Sequence, residues 1–254
     1  KDLIQPMRLY QVSAPELPSD FPPIKTLDAR PNNLPIQLTS FIGREIEMQE
    51  IKNKLSGTRM ITLLGPGGTG KTRLSLQTGA DLIDDFINGV SITELASLTD
   101  PDLIAITIVR SLKIREQPGQ AAETTLVNYL KDKELLLILD NCEHLIEPCA
   151  HIVEKLLQNC LQLKIMATSR ESLRISGETI YKVLSLSFPD QRQKYSPDEL
   201  SGFEAVRLFI ERALSANVNF RVSEENAEAL SRICHQLDGI PLAIELAAAR
   251  IKVL

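Results

Sequence analysis

Residues 65–72 read Gly-Pro-Gly-Gly-Thr-Gly-Lys-Thr and lie between an apolar run at 60–64 and a helical pattern. This stretch has the spacing of a phosphate-binding loop. Glycines permit positive φ angles, so successive N–H groups can turn inward and form a concave anion site. The N-terminus of the following helix favours negative charge at the same place. The alternative is a glycine-rich surface turn between a strand and a helix.

The loop predicts a nucleotide site with separate roles for its side chains. Lys71 is expected to bridge the β and γ phosphates, and the Thr72 hydroxyl to bind Mg²⁺. The implied cofactors are ATP or ADP with Mg²⁺. The predicted nucleotide-binding residues of this stretch are Gly65, Gly67, Gly68, Thr69, Gly70, Lys71, Thr72 and Arg73.

Charge and composition restrict the other partners. The net charge of −5 provides no broad basic field, which argues against direct nucleic-acid binding by this segment. No apolar run is long enough to cross a bilayer, and the first residues lack the layout of a signal peptide. We therefore expect no membrane partner and a cytoplasmic location. The four cysteines lack paired zinc spacing and are interpreted as reduced, buried residues.

The order of the segments predicts an α/β fold. Residues 1–35 hold seven of the fourteen prolines and are interpreted as a linker or arm, with either a short strand at 9–12 or no regular structure. Strand and helix patterns then alternate over 36–190, which predicts a three-layer domain with a mainly parallel sheet. Only helical patterns follow over 200–254, which predicts a small all-α subdomain.

Asp140 ends the apolar run Leu135–Leu139, at the edge of the predicted sheet where ligands bind. Its carboxylate is expected to hold Mg²⁺ through water beside Thr72. The alternative is a helix N-cap. Asn141 follows and cannot act as a base, so Glu143 is the nearest candidate to orient water. Glu143 is equally compatible with a first-turn helix acid.

Arg170 follows a further apolar strand and two polar residues, again at the predicted carboxyl edge. Its planar guanidinium could reach the γ-phosphate and detect its presence. The alternative is a surface arginine paired with a nearby acid. The predicted catalytic set is therefore Lys71, Asp140, Glu143 and Arg170, with Thr72 and Asp140 as metal ligands.

Five segments in this order and spacing resemble the NB-ARC branch of STAND-class signal-transduction ATPases. They are residues 41–45 (FIGRE), 65–72, 136–141, 168–170 (TSR) and 237–244 (LDGIPLAI). The resemblance implies a P-loop NTPase fold with a five-stranded sheet in the order 5-1-4-3-2. It also implies that the helical part is ARC1-like and that the chain is a fragment ending before a winged-helix subdomain.

The resemblance also implies roles outside the loop. Ile42, Gly43 and Arg44 would hold the adenine edge, and Pro241 with Leu242 would close the pocket. Proline is stiff and lacks an N–H, which suits an apolar lid. The alternative for 239–241 is a simple helix stop and restart. Many relatives have two consecutive acids where this chain has Asp140 and Asn141, so we expect slow hydrolysis.

Three functions remain open from the sequence. The first is a regulatory switch in which ATP or ADP changes the packing of the helical subdomain. The others are a catalytic P-loop enzyme such as a kinase and a nucleotide-bound scaffold without hydrolysis. Bacterial members of the family carry fused effector and sensor modules, and the first twelve residues resemble the last strand of class III nucleotide cyclases. The implied partners are an N-terminal cyclase, C-terminal helical repeats and nucleotide-dependent self-association.

Overall fold

The sheet of the protein is parallel and has five strands. The computed structural model describes residues 30–116 and 119–251. The strands are β1 (Met60–Leu64), β2 (Val90–Glu94), β3 (Leu136–Asp140), β4 (Lys164–Ser169) and β5 (Thr179–Lys182). Their order across the sheet is β2-β3-β4-β1-β5, and every pairing is parallel. This is the predicted order 5-1-4-3-2 read from the opposite edge, so the predicted topology is confirmed.

The helices fall into two groups along the chain. Those before and between the strands are α1 (Glu45–Gly57), α2 (Lys71–Asp81), α3 (Ile104–Ser111), α4 (Ala122–Leu130) and α5 (Ile146–Asn159). Those beyond the sheet are α6 (Pro197–Leu200), α7 (Glu204–Ala216), α8 (Glu224–Gln236) and α9 (Pro241–Ala248). Short 3₁₀ turns lie at Ile83–Asp85, Pro101–Leu103 and Cys142–His144. The first of these turns follows α2 after a single residue.

Strand β3 explains why the sheet is covered on both faces. Leu137 and Leu139 belong to the apolar core shared with α3, α4 and α5. Leu136 and Ile138 point the other way, into the core shared with α1 and α2. All four side chains are completely buried, and burying each contributes about 1.5–3 kcal/mol. The unalternated apolar run is therefore a central strand of a three-layer fold.

A third apolar core forms from α7, α8 and α9 together with Leu186 of the segment after the sheet. The division of the chain near 190–200 stays a prediction, and this separate core agrees with it. Helix α6 was not predicted. Its signal is the capping box at Ser196, whose side chain accepts from the Glu199 N–H while the Glu199 carboxylate accepts from the Ser196 N–H.

The described end of the proline-rich segment lies along the outer edge of β2. Pro31 accepts a hydrogen bond from the Val90 N–H at 3.2 Å. The Asn33 side chain accepts from the Ile92 N–H at 2.7 Å and donates to its carbonyl at 2.8 Å. These contacts satisfy groups that an open sheet edge would expose. The predicted strand at 9–12 lies outside the described residues.

Among the residues that the structure describes, no helix is long and apolar enough to span a membrane.

Candidate functional site

The glycine-rich loop joins β1 to α2, as the sequence predicts. Gly68 has φ 80° and Gly70 has φ 84°, which are left-handed conformations. A Cβ atom at Gly68 would also lie 3.2 Å from Cβ of Leu242 and 3.3 Å from Cγ2 of Ile240, so the loop needs glycine there for two reasons. Thr69 is buried and donates from its hydroxyl to the Pro66 carbonyl at 2.9 Å. The loop is therefore a closed turn at the N-terminus of α2.

Lys71 folds back over this loop. Its Nζ donates to the Gly65 carbonyl at 2.7 Å and to the Pro66 carbonyl at 3.1 Å. Burial lowers the pKa of Lys71, the carboxylate of Glu143 opposes this, and Arg170 lowers the pKa further. An anion bound in the loop would act in the same direction as the Glu143 carboxylate and favour the charged form of the Lys71 side chain.

Thr72 and Asp140 meet at the carboxyl ends of β1 and β3. The Thr72 hydroxyl donates to Asp140 Oδ1 at 2.7 Å, and the Thr168 hydroxyl donates to the same oxygen at 2.6 Å. Thr168 also accepts from the Asn141 N–H at 2.9 Å, which supports the left-handed backbone of Asn141 at φ 67°. Because Asp140 is only 7% exposed, these bonds fix one orientation of its carboxylate.

Glu143 and Arg170 form an ion pair beside the loop. Arg170 Nε lies 3.1 Å from Glu143 Oε1, with the arginine side chain 63% exposed and the glutamate 18% exposed. Nη2 of Arg170 lies 3.2 Å from the place where a Cβ of Gly67 would be. The Asn141 amide, oriented with its nitrogen toward Glu143, donates to Oε1 at 2.9 Å. Arg170 is thus paired with an acid in this structure, and that acid is itself the candidate base. Whether Arg170 also detects a γ-phosphate stays a prediction.

The turn before α1 forms the other end of the site. Gly43 and Arg44 both have left-handed backbones, at φ 71° and 65°. Arg44 is 3% exposed, and its Nη2 donates to the Thr69 carbonyl at 2.6 Å and the Leu184 carbonyl at 2.9 Å. Its Nη1 is buried with no hydrogen-bond partner among residues 30–116 and 119–251. Burial lowers the pKa of Arg44, and nearby Glu47 and Glu204 oppose this.

Helix α9 reaches the loop from the helical part of the chain. The Leu242 N–H donates to the Gly68 carbonyl at 3.2 Å. Pro241 is the first residue of α9, and its Cγ lies 3.8 Å from the Cβ position of Gly70. A simple helix restart would not require this contact. The geometry therefore places Pro241 and Leu242 at the mouth of the phosphate loop.

Arg73 takes part in a contact that the sequence did not predict. Its Nη1 lies 3.3 Å from Glu245 Oε1, and its Nη2 donates to the carbonyls of Thr39 and Ser40 at 2.6 and 2.8 Å. Arg212 Nε of α7 lies 3.0 Å from the same glutamate oxygen. Helices α2, α7 and α9 meet at this carboxylate. Glu245 lies four residues after Pro241, and this spacing places both on the same face of α9. No other feature of the sequence indicates that Glu245 contacts Arg73.

These residues surround one cleft of about 380 Å³, a size suited to a small molecule. Its lining combines the loop, the turn before α1, the Glu143 and Arg170 pair, and apolar residues of α7 and α9. The predicted site residues in the lining are Ile42, Arg44, Gly67, Gly68, Gly70, Lys71, Thr72, Arg73, Glu143, Arg170, Pro241 and Leu242. Asp140 lies behind Thr72, Thr69 is buried in the loop, and Gly43 and Gly65 adjoin the lining.

The donor set fits a nucleotide with Mg²⁺. The inward turn of the loop and Lys71 suit phosphate oxygens, and the buried Arg44 Nη1 is a donor without an acceptor. The Thr72 hydroxyl and Asp140 carboxylate are the hard oxygen ligands that Mg²⁺ prefers. No group of three His, Cys, Asp or Glu side chains that could hold a metal occurs within the described ranges, so further ligands would have to come from water and phosphate.

Comparison with known proteins finds a matching family and several similar proteins. The NB-ARC domain family matches residues 44–187. An uncharacterized Mycobacterium tuberculosis protein is 40% identical over 213 residues, which cover 84% of this chain and 51% of that protein. Another M. tuberculosis protein, whose name proposes an HTH-type transcriptional regulator, is 39% identical over 198 residues, or 78% of this chain and 21% of that protein.

A solved structure supports the fold. The STAND protein with a tetratricopeptide repeat sensor from Pyrococcus horikoshii superposes with a TM-score of 0.51 at 15% identity. The superposition covers 82% of this chain and 30% of that protein. The chain thus spans about half, or less, of the length of these relatives. The predicted NB-ARC resemblance and the predicted P-loop NTPase fold are confirmed, and the cyclase-like arm stays a prediction.

Proposed function

The chain belongs to the NB-ARC family, and from that premise we propose that it is an ATP/ADP-dependent regulatory switch with slow ATPase activity. The coarser statement, a nucleotide-binding domain of an ATPase family, follows from the family itself. The proposal adds that the bound nucleotide controls how the helical part packs on the α/β part.

One observation supports the switch above all. The cleft is built from both parts of the chain, because α9 donates from Leu242 to the Gly68 carbonyl while Pro241 lies over Gly70. A ligand in this cleft contacts the sheet domain and the helices at once. Ligand binding must then stabilise the contact between them by linkage.

The residues of the phosphate end divide the work. The loop N–H groups and Lys71 would bind the phosphates, and Thr72 with Asp140 would hold Mg²⁺. When bound, Mg²⁺ would neutralise phosphate charge and position the phosphate oxygens. Arg170 can exchange its ion pair with Glu143 for a γ-phosphate, which gives ATP and ADP different contacts. Such differential contacts are what any ligand-driven change requires.

The wider role is that of a module in a longer regulator. One relative is named for transcriptional regulation and the structural neighbour carries a tetratricopeptide repeat sensor. We propose that effector and sensor modules are fused to this chain, that nucleotide state controls self-association, and that the location is cytoplasmic. These proposals concern a longer protein, of which this chain would be one part.

The geometry also favours a second candidate, a nucleotide-bound scaffold without hydrolysis. Asn141 stands where a second acid would be, and Glu143 is held by both Arg170 and the Asn141 amide. A carboxylate held in this way is less available to accept a proton from water. The two candidates differ in whether ATP and ADP produce different packing.

Hydrogen exchange separates them, because it detects slow opening of packed helices. We expect ADP to slow exchange in α9 relative to the ligand-free chain. Pro241→Ala should reduce this protection. Arg170→Ala should retain it and remove the difference between ADP and a non-hydrolysable ATP analogue.

Arg110→Ala is the matched control, since Arg110 is an exposed arginine on α3 away from the cleft. It should behave as wild type in all three states. Equal exchange of α9 with and without nucleotide, in a chain that binds ADP, would contradict the switch and leave the scaffold.

A further inference from the structure

Glu204, the first residue of α7, joins three parts of the chain through one carboxylate. Its Oε1 accepts from the Arg44 N–H at 2.6 Å. Its Oε2 accepts from the Ser187 N–H at 3.1 Å and from the Ser187 hydroxyl at 3.3 Å. The Ser187 hydroxyl in turn accepts from the Glu204 N–H at 3.0 Å. The carboxylate thus links the turn before α1, the segment after the sheet, and α7.

The turn at Gly43 and Arg44 depends on this carboxylate for its shape. Two successive left-handed residues are unusual, and Arg44 is not a glycine, so its conformation must be held by its surroundings. A Cβ at Gly43 would lie 2.3 Å from Glu204 Oε1, so the glycine and the glutamate are packed directly against each other. Arg44 is also the N-cap of α1, and its own side chain makes no capping bond. The carboxylate of Glu204, on another helix, accepts from the N–H of this N-cap residue, as the acid of a capping box does.

Helix α7 contributes to the cleft on the same face. Leu208 lies one helical turn after Glu204 and lines the cleft together with Ile42 and Arg44. Leu208 is 5% exposed and packs in the helical core. If α7 moves, both the apolar wall at Leu208 and the bond that holds Arg44 move with it.

We propose that Glu204 is the positioning residue of the base-binding turn, so that discrimination of the nucleobase depends on the docking of α7. This inference rests on the proposed function, since it assumes that the nucleotide base lies against residues 42–44. Glu204 acts through Arg44 and the turn, and it need not touch the nucleotide. Lys71, Thr72 and Asp140 are held by bonds within the α/β part, so Glu204 reaches the phosphate loop only through Arg44 and its bond to the Thr69 carbonyl.

The test compares ADP and GDP binding by calorimetry in the wild type, Glu204→Gln and Ser187→Ala. A glutamine keeps the size but turns an NH₂ donor toward either the Arg44 or the Ser187 N–H. We expect the wild type to bind ADP more tightly than GDP. Glu204→Gln should lower the ADP affinity at least tenfold and lower the ratio of ADP affinity to GDP affinity at least fivefold. Ser187→Ala loses only the hydroxyl contacts and should lower the ratio about threefold.

Glu228→Gln is the matched control, because the Glu228 side chain is exposed on α8 and forms no hydrogen bond or ion pair with the described residues. It should leave both affinities unchanged. A purely structural effect would weaken ADP and GDP by the same factor, and an unchanged ratio in folded Glu204→Gln would overturn the inference alone. If Glu204→Gln does not fold, an unchanged ratio in Ser187→Ala overturns it. A wild type that binds neither nucleotide would overturn the proposed function as well.

Discussion

The two ends of the cleft are built in different ways. At the phosphate end, Lys71, Thr72 and Asp140 take their hydrogen bonds from the loop and from strand ends of one sheet. At the other end, which is proposed to bind the base and is called the base end, the turn at 42–44 is held by Glu204 of α7 and by the carbonyl of Leu184. The side chains of the phosphate end therefore take their bonds within the α/β part, whereas the base end takes one of its bonds from the helical part.

On the proposed switch, this difference would let one site bind a nucleotide and also change the packing of the helices. Phosphates bound by the loop and Lys71 would need few contacts from the helical part. The base end adds contacts whose strength depends on docking, and the same contacts strengthen docking in return. Variants at the phosphate end should change binding or turnover, and variants at the junction should change coupling.

The largest effect is expected for Glu143→Gln. If Glu143 orients water, the variant loses its proton acceptor, and single-turnover hydrolysis should fall about 100-fold or more with little change in ADP affinity. The wild type should itself turn over far below the median enzyme rate of about 10 s⁻¹, because Asn141 is not a base and Arg170 holds Glu143.

Glu147→Gln provides the comparison, because it makes the same change on an exposed side chain in the first turn of α5. It should hydrolyse ATP at the wild-type rate. Equal rates of single-turnover ATP hydrolysis in Glu143→Gln and the wild type would exclude a role for Glu143 in hydrolysis. A wild-type rate at or above the median would instead favour the catalytic-enzyme interpretation.

Lys71→Ala should weaken ATP and ADP binding by tenfold or more, which is about 1.4 kcal/mol or above. The variant leaves only backbone donors for the phosphates. Calorimetry is the measurement, and Lys131→Ala on the exposed end of α4 is the control for loss of a lysine charge. Unchanged ADP affinity in folded Lys71→Ala would exclude the loop as the binding site.

The sequence predicted the phosphate end because its parts are local. The loop carries its residues within eight positions, and the buried run before Asp140 marks the end of a central strand. Parallel strand ends meet at one edge, so Thr72 and Asp140 could be placed together without coordinates. Their 2.7 Å contact agrees with this reasoning.

The base end and the ion pairs of Glu245 could not be predicted to the same depth, because their contacts join residues far apart in sequence. Glu204 lies 160 positions from Arg44, and Glu245 lies 172 from Arg73. Neither acid belongs to a motif or differs in pattern from a solvated helix residue. The family resemblance pointed to residues 42–44 and 241–242 but not to the charged groups that hold them. Helix α6 had a local signal at Ser196 and was overlooked.

The smallest effect is expected at Glu245, which sharpens the comparison because it joins the two parts outside the base end. Its carboxylate lies 3.3 Å from Arg73 of α2 and 3.0 Å from Arg212 of α7. The glutamate side chain is 32% exposed, so water and salt screen these pairs. Partly exposed ion pairs contribute about 0.2–1 kcal/mol. Glu245→Gln should therefore weaken coupling without abolishing it.

The measurement is the protection that ADP gives to the amides of α9, compared between Glu245→Gln and the control Glu228→Gln. We expect the protection to be lower in Glu245→Gln by about fivefold at most, since 1 kcal/mol corresponds to about that factor. The difference from the wild type should shrink as salt is raised, because salt screens the ion pairs that the wild type has. ADP affinity should change less than threefold, because Lys71, Thr72 and Asp140 keep their hydrogen bonds in this variant. Complete loss of protection would place the main coupling at Glu245 instead of at Pro241 and Leu242. Unchanged protection at low salt would show that the ion pairs of Glu245 with Arg73 and Arg212 do not couple the two parts. The bond from Leu242 to Gly68, the carboxylate of Glu204 and the bond from Arg212 to the Ser40 carbonyl would still join them.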